Sequence, residues 1–440
     1  MPAVTSAGTP TRVLFVTHSY YEEDPRVRRE AEALVAAGMW VDVLGLRKPG
    51  AQEREVIDGV HVRRLEVQRH QGAGIGTYLA EYAAFFARAA VVAVRLHARR
   101  RYALAQVATL PDPLVFAVAP LRLDGVPVIL DLHEAMPEFF RSRFPAASRG
   151  PVRAGLLAAE RASIGFATRA LTVNDALADR LTALGVPPSK VAVVLNSPRS
   201  DRFDPGAHPV RPFMADGSLR LVYAGALTPL YQLDVAIRAV ALLARGARDP
   251  DAGADGITSP GAGTGQRVGP GADASEDQPA AAPLRPLDTT LDLYGRGDAE
   301  PMLRDLAARL GVADRIRFHG RIPLEAVAAR IAESDAGLAP TRRDEFTDFS
   351  LSTKIFEYAA MRKPVIASRL PTVERYFGRD TLAYFEPGDA GSMADAVRGL
   401  VDDPEARAAS VDAAQARVRE LSWEREAARY VALVRELARP

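Results

Sequence analysis

Two short apolar runs, Ala336–Pro340 and Val365–Ala367, bracket a segment from Leu351 to Met361 that contains neither Gly nor Pro. Runs of that length suit buried parallel strands, and the segment between them suits a helix capped by Ser350 or Ser352 and stopped by Pro364. A strand–loop–helix–strand unit begins its helix at the carboxyl edge of a parallel sheet, where open α/β sheets bind ligands. The first helical turn offers unpaired N–H groups and a positive dipole end, which suit a diphosphate. Lys354 and Glu357 share one face of that helix close to its start. Lys354 suits a phosphate, and Glu357 suits a ribose or sugar hydroxyl pair. On spacing alone, a solvated surface pair is the commoner meaning of two such charges.

At 440 residues the chain exceeds a single core, so two domains of roughly 200 residues are expected. An apolar share of 48% and a charged share of 25% are those of an ordinary globular protein. The formal charge of +1 gives no reason to expect nucleic acid as a partner. With no cysteine, disulfides and thiolate metal sites are excluded, which fits a reducing, cytoplasmic setting. No signal peptide or membrane span is read from the chain. The apolar run Tyr82–Val94 ends in Arg95–Arg101, so such a helix suits either an anionic membrane or the inside of the N-terminal domain. Because apolar residues surround most of its circumference, the interior is the expectation, with peripheral contact at the inner membrane face as the alternative.

In chain order, Arg12–Thr17 reads as a buried strand, and Asp24-Pro25 as the N-cap and first position of a helix that ends at Gly38. Trp40–Gly45 is the next strand. Ala103–Ala108 and Pro127–Leu132 follow, the second leading into His133-Glu134 at a strand end. Ala170–Asn174 and Val191–Leu195 close the first half, with Asn196 before Ser-Pro. Residues 1–10 are expected to be disordered, and 11–204 form the first domain. A linker is placed at 205–218, and the second domain at 219–421 with a disordered, Gly- and Pro-rich insertion at 246–286. A terminal helix starts in 422–440.

The stretch Lys354-Ile-Phe-Glu-Tyr-Ala-Ala-Met-Arg-Lys-Pro-Val-Ile-Ala-Ser368 resembles the signature of glycosyltransferase family 4, retaining sugar transferases of the GT-B fold. Asp24-Pro-Arg-Val-Arg-Arg-Glu30, the Asp131-Leu-His133-Glu134 strand end and the turn Gly295-Arg-Gly297 are similar to other parts of that family. The resemblance implies two doubly wound α/β domains facing a cleft, the acceptor on the first and a nucleotide sugar on the second. It also implies that the terminal helix crosses back to the first domain. Catalytic roles fall on His133 and Glu357. Donor contacts fall on Gly225, Gly295, Arg321, Ser352, Thr353, Lys354 and Glu357. On the acceptor side stand Asp24, Arg26, Glu134 and Asn196. The implied reaction moves a sugar to a glycan, lipid or small-molecule acceptor with retention. No metal and no cofactor is implied, the nucleotide sugar being substrate.

Three positions depart from the family pattern. Phe349 stands where many members carry a second Glu, Ala226 where Arg is usual, and Tyr231 where Lys is usual. Because the Arg and Lys normally grip the diphosphate, a non-catalytic sugar-nucleotide-binding or scaffold protein of the same fold is the alternative.

Overall fold

The computed structural model describes residues 10–67, 75–144, 150–247 and 284–439. The expectations for residues 1–9 and for the core of the insertion, 248–283, lie outside them. The chain divides into two compact units. One comprises Met1–Ser200, Asp344–Thr353 and Arg419–Pro440, the other Asp201–Arg343 and Lys354–Val418.

The first unit holds an eight-stranded sheet in the order β3-β4-β2-β1-β5-β6-β7-β8. Its strands are β1 (Arg12–Thr17), β2 (Trp40–Leu46), β3 (Arg54–Ile57), β4 (Val60–Leu65), β5 (Leu104–Ala108), β6 (Val128–Leu132), β7 (Arg169–Thr172) and β8 (Val191–Val193). All neighbours are parallel except β3 and β4. Successive side chains of a strand point to opposite faces, and β1 buries both. Leu14 and Val16 enter one core with Phe85, Leu114 and Ile164, while Val13 and Phe15 enter another with Val27, Leu34 and Val434. The edge hairpin β3–β4 was not expected. Its outer strand β3 is charged and largely exposed at Arg54, Glu55 and Val56, so that strand carries no buried apolar run to read.

Helices of this unit are α1 (Pro25–Ala36), α2 (Ile75–Arg100), α3 (Ala119–Leu123), α4 (Met136–Arg143), α5 (Pro151–Phe166) and α6 (Asp175–Ala183). Asp24 caps α1, its side chain accepting from Val27 N, and Asn174 caps α6 in the same way through Leu177 N. Helix α2 corrects the expectation of an interior helix. Phe85, Ala89, Ala93 and Leu96 are buried, but Val91 and Val94 on its other side are 50% and 40% exposed.

The second unit has six parallel strands: β9 (Leu219–Ala224), β10 (Thr289–Tyr294), β11 (Ile316–Gly320), β12 (Ala336–Ala339), β13 (Val365–Ser368) and β14 (Ala383–Phe385). Their order, β11-β10-β9-β12-β13-β14, is the doubly wound order that reverses between its first and fourth strands, here β9 and β12. The helices are α7 (Leu233–Arg245), α8 (Glu300–Arg309), α9 (Val327–Ala332), α10 (Thr353–Ala360), α11 (Pro371–Phe377), α12 (Ala390–Asp402) and α13 (Pro404–Glu420). A single 3₁₀ turn at Leu324–Ala326 precedes α9. Helix α10 lies flat on the sheet because Gly337 leaves room for Tyr358, whose ring carbon would lie 2.2 Å from a Cβ at that position. The last helix, α14 (Trp423–Leu437), belongs to the first unit, where Trp423, Tyr430 and Val434 join the core with Val13 and Val27.

Candidate active site

In the second unit, the residues at the carboxyl ends of β9 and β10 come into close backbone contact. Gly225 N donates to the carbonyl of Tyr294 at 2.8 Å, and Gly295 N donates to that of Gly320 at 2.8 Å. A Cβ on Gly295 would lie 1.8 Å from the Gly225 carbonyl oxygen, and φ at Gly295 is +151°. Only glycine is accommodated there. Gly225 has a second reason to lack a side chain: its Cβ would meet Lys354 Cε at 2.4 Å.

Lys354, in the first turn of α10, therefore lies along the backbone at the end of β9, at the point where the strand order reverses. It is 9% exposed. Its ammonium is 4.1 Å from the ring centre of Tyr231 and 5.1 Å from that of Tyr223. An ammonium over two aromatic faces is attracted to the ring quadrupoles by about 1–2 kcal/mol when partly desolvated. Tyr223 is fixed in turn by donating to the Ala226 carbonyl at 2.8 Å. Tyr231, which the sequence presented only as a lost lysine, is thus a neighbour of the lysine that remains. Glu357 is half-buried on the next turn, Ser352 and Thr353 are half-buried at the helix start, and Arg321 is exposed just after β11.

The first unit assembles a second cluster at the carboxyl end of β6. His133 Nε2 is 2.9 Å from Asp131 Oδ2, and its backbone N–H donates to Thr109 Oγ1 at 3.1 Å. Asp131 is fully buried and receives Arg26, whose Nη2 donates at 2.7 Å and whose Nε bridges both carboxylate oxygens at 3.1 Å. Arg26 Nη1 donates to the Val194 carbonyl at 2.8 Å. Arg26 is 3% exposed, so its guanidinium is committed to protein acceptors inside the unit. One turn along α1, Glu30 lies 3.1 Å from Arg26 and accepts from Gln106 at 2.6 Å, and Gln106 accepts from Tyr430 of α14 at 2.7 Å.

These contacts set the protonation states. Burial alone would raise the Asp131 carboxyl, but Arg26 and His133 outweigh it and hold it well below the carboxylate range. Burial would lower His133, yet the Asp131 carboxylate prevails and raises it. Glu30 has the opposite fate: burial dominates, Arg26 opposes it only in part, and the carboxyl is pushed up to about 8. Glu134 is half-buried and also raised by burial, with His133 acting against it. Asp24 serves as a cap and accepts from Ser19 Oγ at 2.8 Å, while Asn196 accepts from Arg29. Asp131 and Glu30 stood in quoted motifs without a role. The Arg26/Glu30 spacing of four was the available signal for their pairing. No group of metal-ligating side chains occurs among the described residues.

A family model described as "Glycosyl transferase 4-like domain" matches residues 24–197, and one described as "Glycosyl transferases group 1" matches 279–403. Alpha-D-kanosaminyltransferase of Streptomyces kanamyceticus is 32% identical over 131 residues, 29% of this chain. That match spans 33% of the relative's own length. Sucrose-phosphate synthase of Thermosynechococcus elongatus superposes with a TM-score of 0.72 at 17% identity, covering 97% of this chain and 99% of that one. HepE of Anabaena, solved in complex with UDP-glucose, superposes with a TM-score of 0.66 at 13% identity, covering 97% and 99%. At such identities the superpositions establish the fold, and the two family models, one on each half, establish the kinship: the chain belongs to glycosyltransferase family 4, of GT-B fold.

Proposed function

We propose that this chain transfers a sugar from a nucleotide sugar to a glycan, lipid or small-molecule acceptor, with retention at the anomeric carbon. The observation that carries the proposal is Lys354, held at the start of α10 over Gly225 where the strand order reverses. A cation, a helix N-terminus and side-chain-free backbone converge there, as a diphosphate requires. In this reading Glu357 accepts from the ribose hydroxyls, and the turn at Gly295 and Arg321 borders the nucleotide. His133 meets the transferred sugar, with Asp131 orienting its ring. Charge developing on the leaving diphosphate is met by Lys354 and the α10 N–H groups, so the stabilisation is electrostatic and preorganised. Glu134 and Asn196 stand on the acceptor side, and no cofactor or metal is invoked for the transfer.

A second reading, a non-catalytic sugar-nucleotide-binding or scaffold protein, is favoured by Ala226 and Tyr231 standing where the family has cations. Calorimetry with a panel of nucleoside diphosphates, together with hydrolysis across a donor panel, separates the two. Lys354→Ala is expected to weaken nucleoside diphosphate binding by about 1.5–3 kcal/mol, the range for hydrogen bonds to charged groups. Glu357→Gln is expected to weaken nucleotide binding while sparing pyrophosphate. Absence of binding at millimolar concentration by the wild type would favour the scaffold.

A further inference from the structure

Helix α2 presents two apolar faces. One buries Phe85, Ala89, Ala93 and Leu96 in the first unit. On the other, positions 80, 84, 87, 91, 94 and 98 recur at steps of four and three, which align them in one stripe. All six are Ala or Val, and all six are exposed. Arg88, Arg95 and Arg99 are exposed along one margin of the stripe, and residues 82–101 contain no Asp or Glu. At its C-terminal end the stripe meets a groove of about 470 Å³ whose lining includes Val94, Ala98, Leu123 and Asp124, the last paired with His97 at 2.9 Å and Arg101 at 3.5 Å. Leu123, on α3, is 89% exposed.

A helix face that meets water ordinarily carries charged side chains across its width. An apolar stripe bordered by arginine fits a partner that is apolar within and anionic at its surface. We propose that this face of α2, with Leu123, docks on an anionic phospholipid bilayer. The Val and Leu side chains would enter the headgroup boundary, and the arginines would meet phosphates. A second copy of the chain fits less well, because residues 82–101 offer no carboxylate to pair with the partner's arginines, and Asp124 at the groove is already paired with His97 and Arg101. Docking of this kind does not depend on the glycosyl-transfer reading, and its assay needs neither donor nor acceptor.

The test is co-sedimentation of the full chain with phosphatidylcholine vesicles, plain or containing about one third phosphatidylglycerol. The wild type is expected to partition onto the anionic vesicles, less so as salt rises. Arg88→Gln with Arg95→Gln and Arg99→Gln should lower partitioning roughly fivefold per arginine. Val91→Ser with Val94→Ser and Leu123→Ser leaves charge unchanged and should lower it at least about tenfold, since three apolar side chains leave the lipid. Circular dichroism of both variants should match the wild type, because the altered side chains are exposed. Equal binding by the serine variant would overturn the proposal, as would a wild type indifferent to phosphatidylglycerol. A concentration-dependent dimer that the serine variant abolishes would instead assign the face to a second copy.

Discussion

The Lys354 ammonium rests 4.1 Å from the centre of the Tyr231 ring. Tyr231 occupies a position where the family usually has a cation, and it faces the cation on α10. The aromatic face limits where the ammonium can go, and holding it costs the lysine less entropy on ligand binding. Tyr231→Phe is therefore expected to bind a nucleoside diphosphate like the wild type. Tyr231→Leu keeps the apolar packing without the quadrupole, and should bind about fivefold more weakly, equivalent to about 1 kcal/mol. Titration calorimetry of the two variants decides, and equal affinities would remove the ring from the site.

His133→Ala should lower turnover at least about tenfold while leaving donor affinity nearly unchanged, tenfold being about 1.4 kcal/mol of barrier. Asp131→Asn tests the partner. It should return the His133 imidazole toward its ordinary pKa, read by NMR titration of the ring. It should also cost about 3–5 kcal/mol of stability by leaving Arg26 buried without its carboxylate. The sign of the Asp131 contribution follows from its lowered pKa. Stability is present above the unfolded carboxyl pKa and is lost as pH falls through the folded one.

Glu30 works in the other direction. Its folded pKa is pushed up to about 8, so the stability associated with its protonated form is full below the unfolded carboxyl pKa and is lost as pH rises toward 8. Glu30→Gln keeps a neutral side chain at every pH. Denaturant unfolding between pH 5 and 8.5 should show the variant losing less stability on the alkaline side than the wild type, by on the order of a few kcal/mol. Parallel curves would mean that Glu30 is ionised in the fold.

Gly295→Ala should destabilise the second unit by at least about 3 kcal/mol. Its methyl group would fall 1.8 Å from the Gly225 carbonyl oxygen, and backbone cannot swing aside as a long side chain can. Thermal unfolding with and without a nucleoside diphosphate checks both consequences, lower stability and a smaller ligand-induced shift. A wild-type melting curve would contradict the close approach of the two loops.

Read as a sequence, the chain determined most of its parallel strands, most of their helices and the position of the helix start that carries Lys354. Those features rest on local causes: the apolar run of β13, the Asp24-Pro25 helix start, and the strand–helix–strand spacing around Lys354. Tertiary structure decided what those residues touch. Arg26 stood among the expected acceptor-side residues, yet it is buried against Asp131, 105 positions away in the sequence. Tyr231 looked like a loss, because its partner on α10 is remote in sequence and cation–π contacts leave no periodic signal. Helix α2 looked apolar all round, and composition could not tell which side would meet the core. The edge strand β3 was illegible for the related reason that a charged edge carries no hydrophobic period. Local propensity and periodicity act over a few residues, and so they are written along the chain. Burial, pairing and protonation depend on partners that only the closed sheet order brings together.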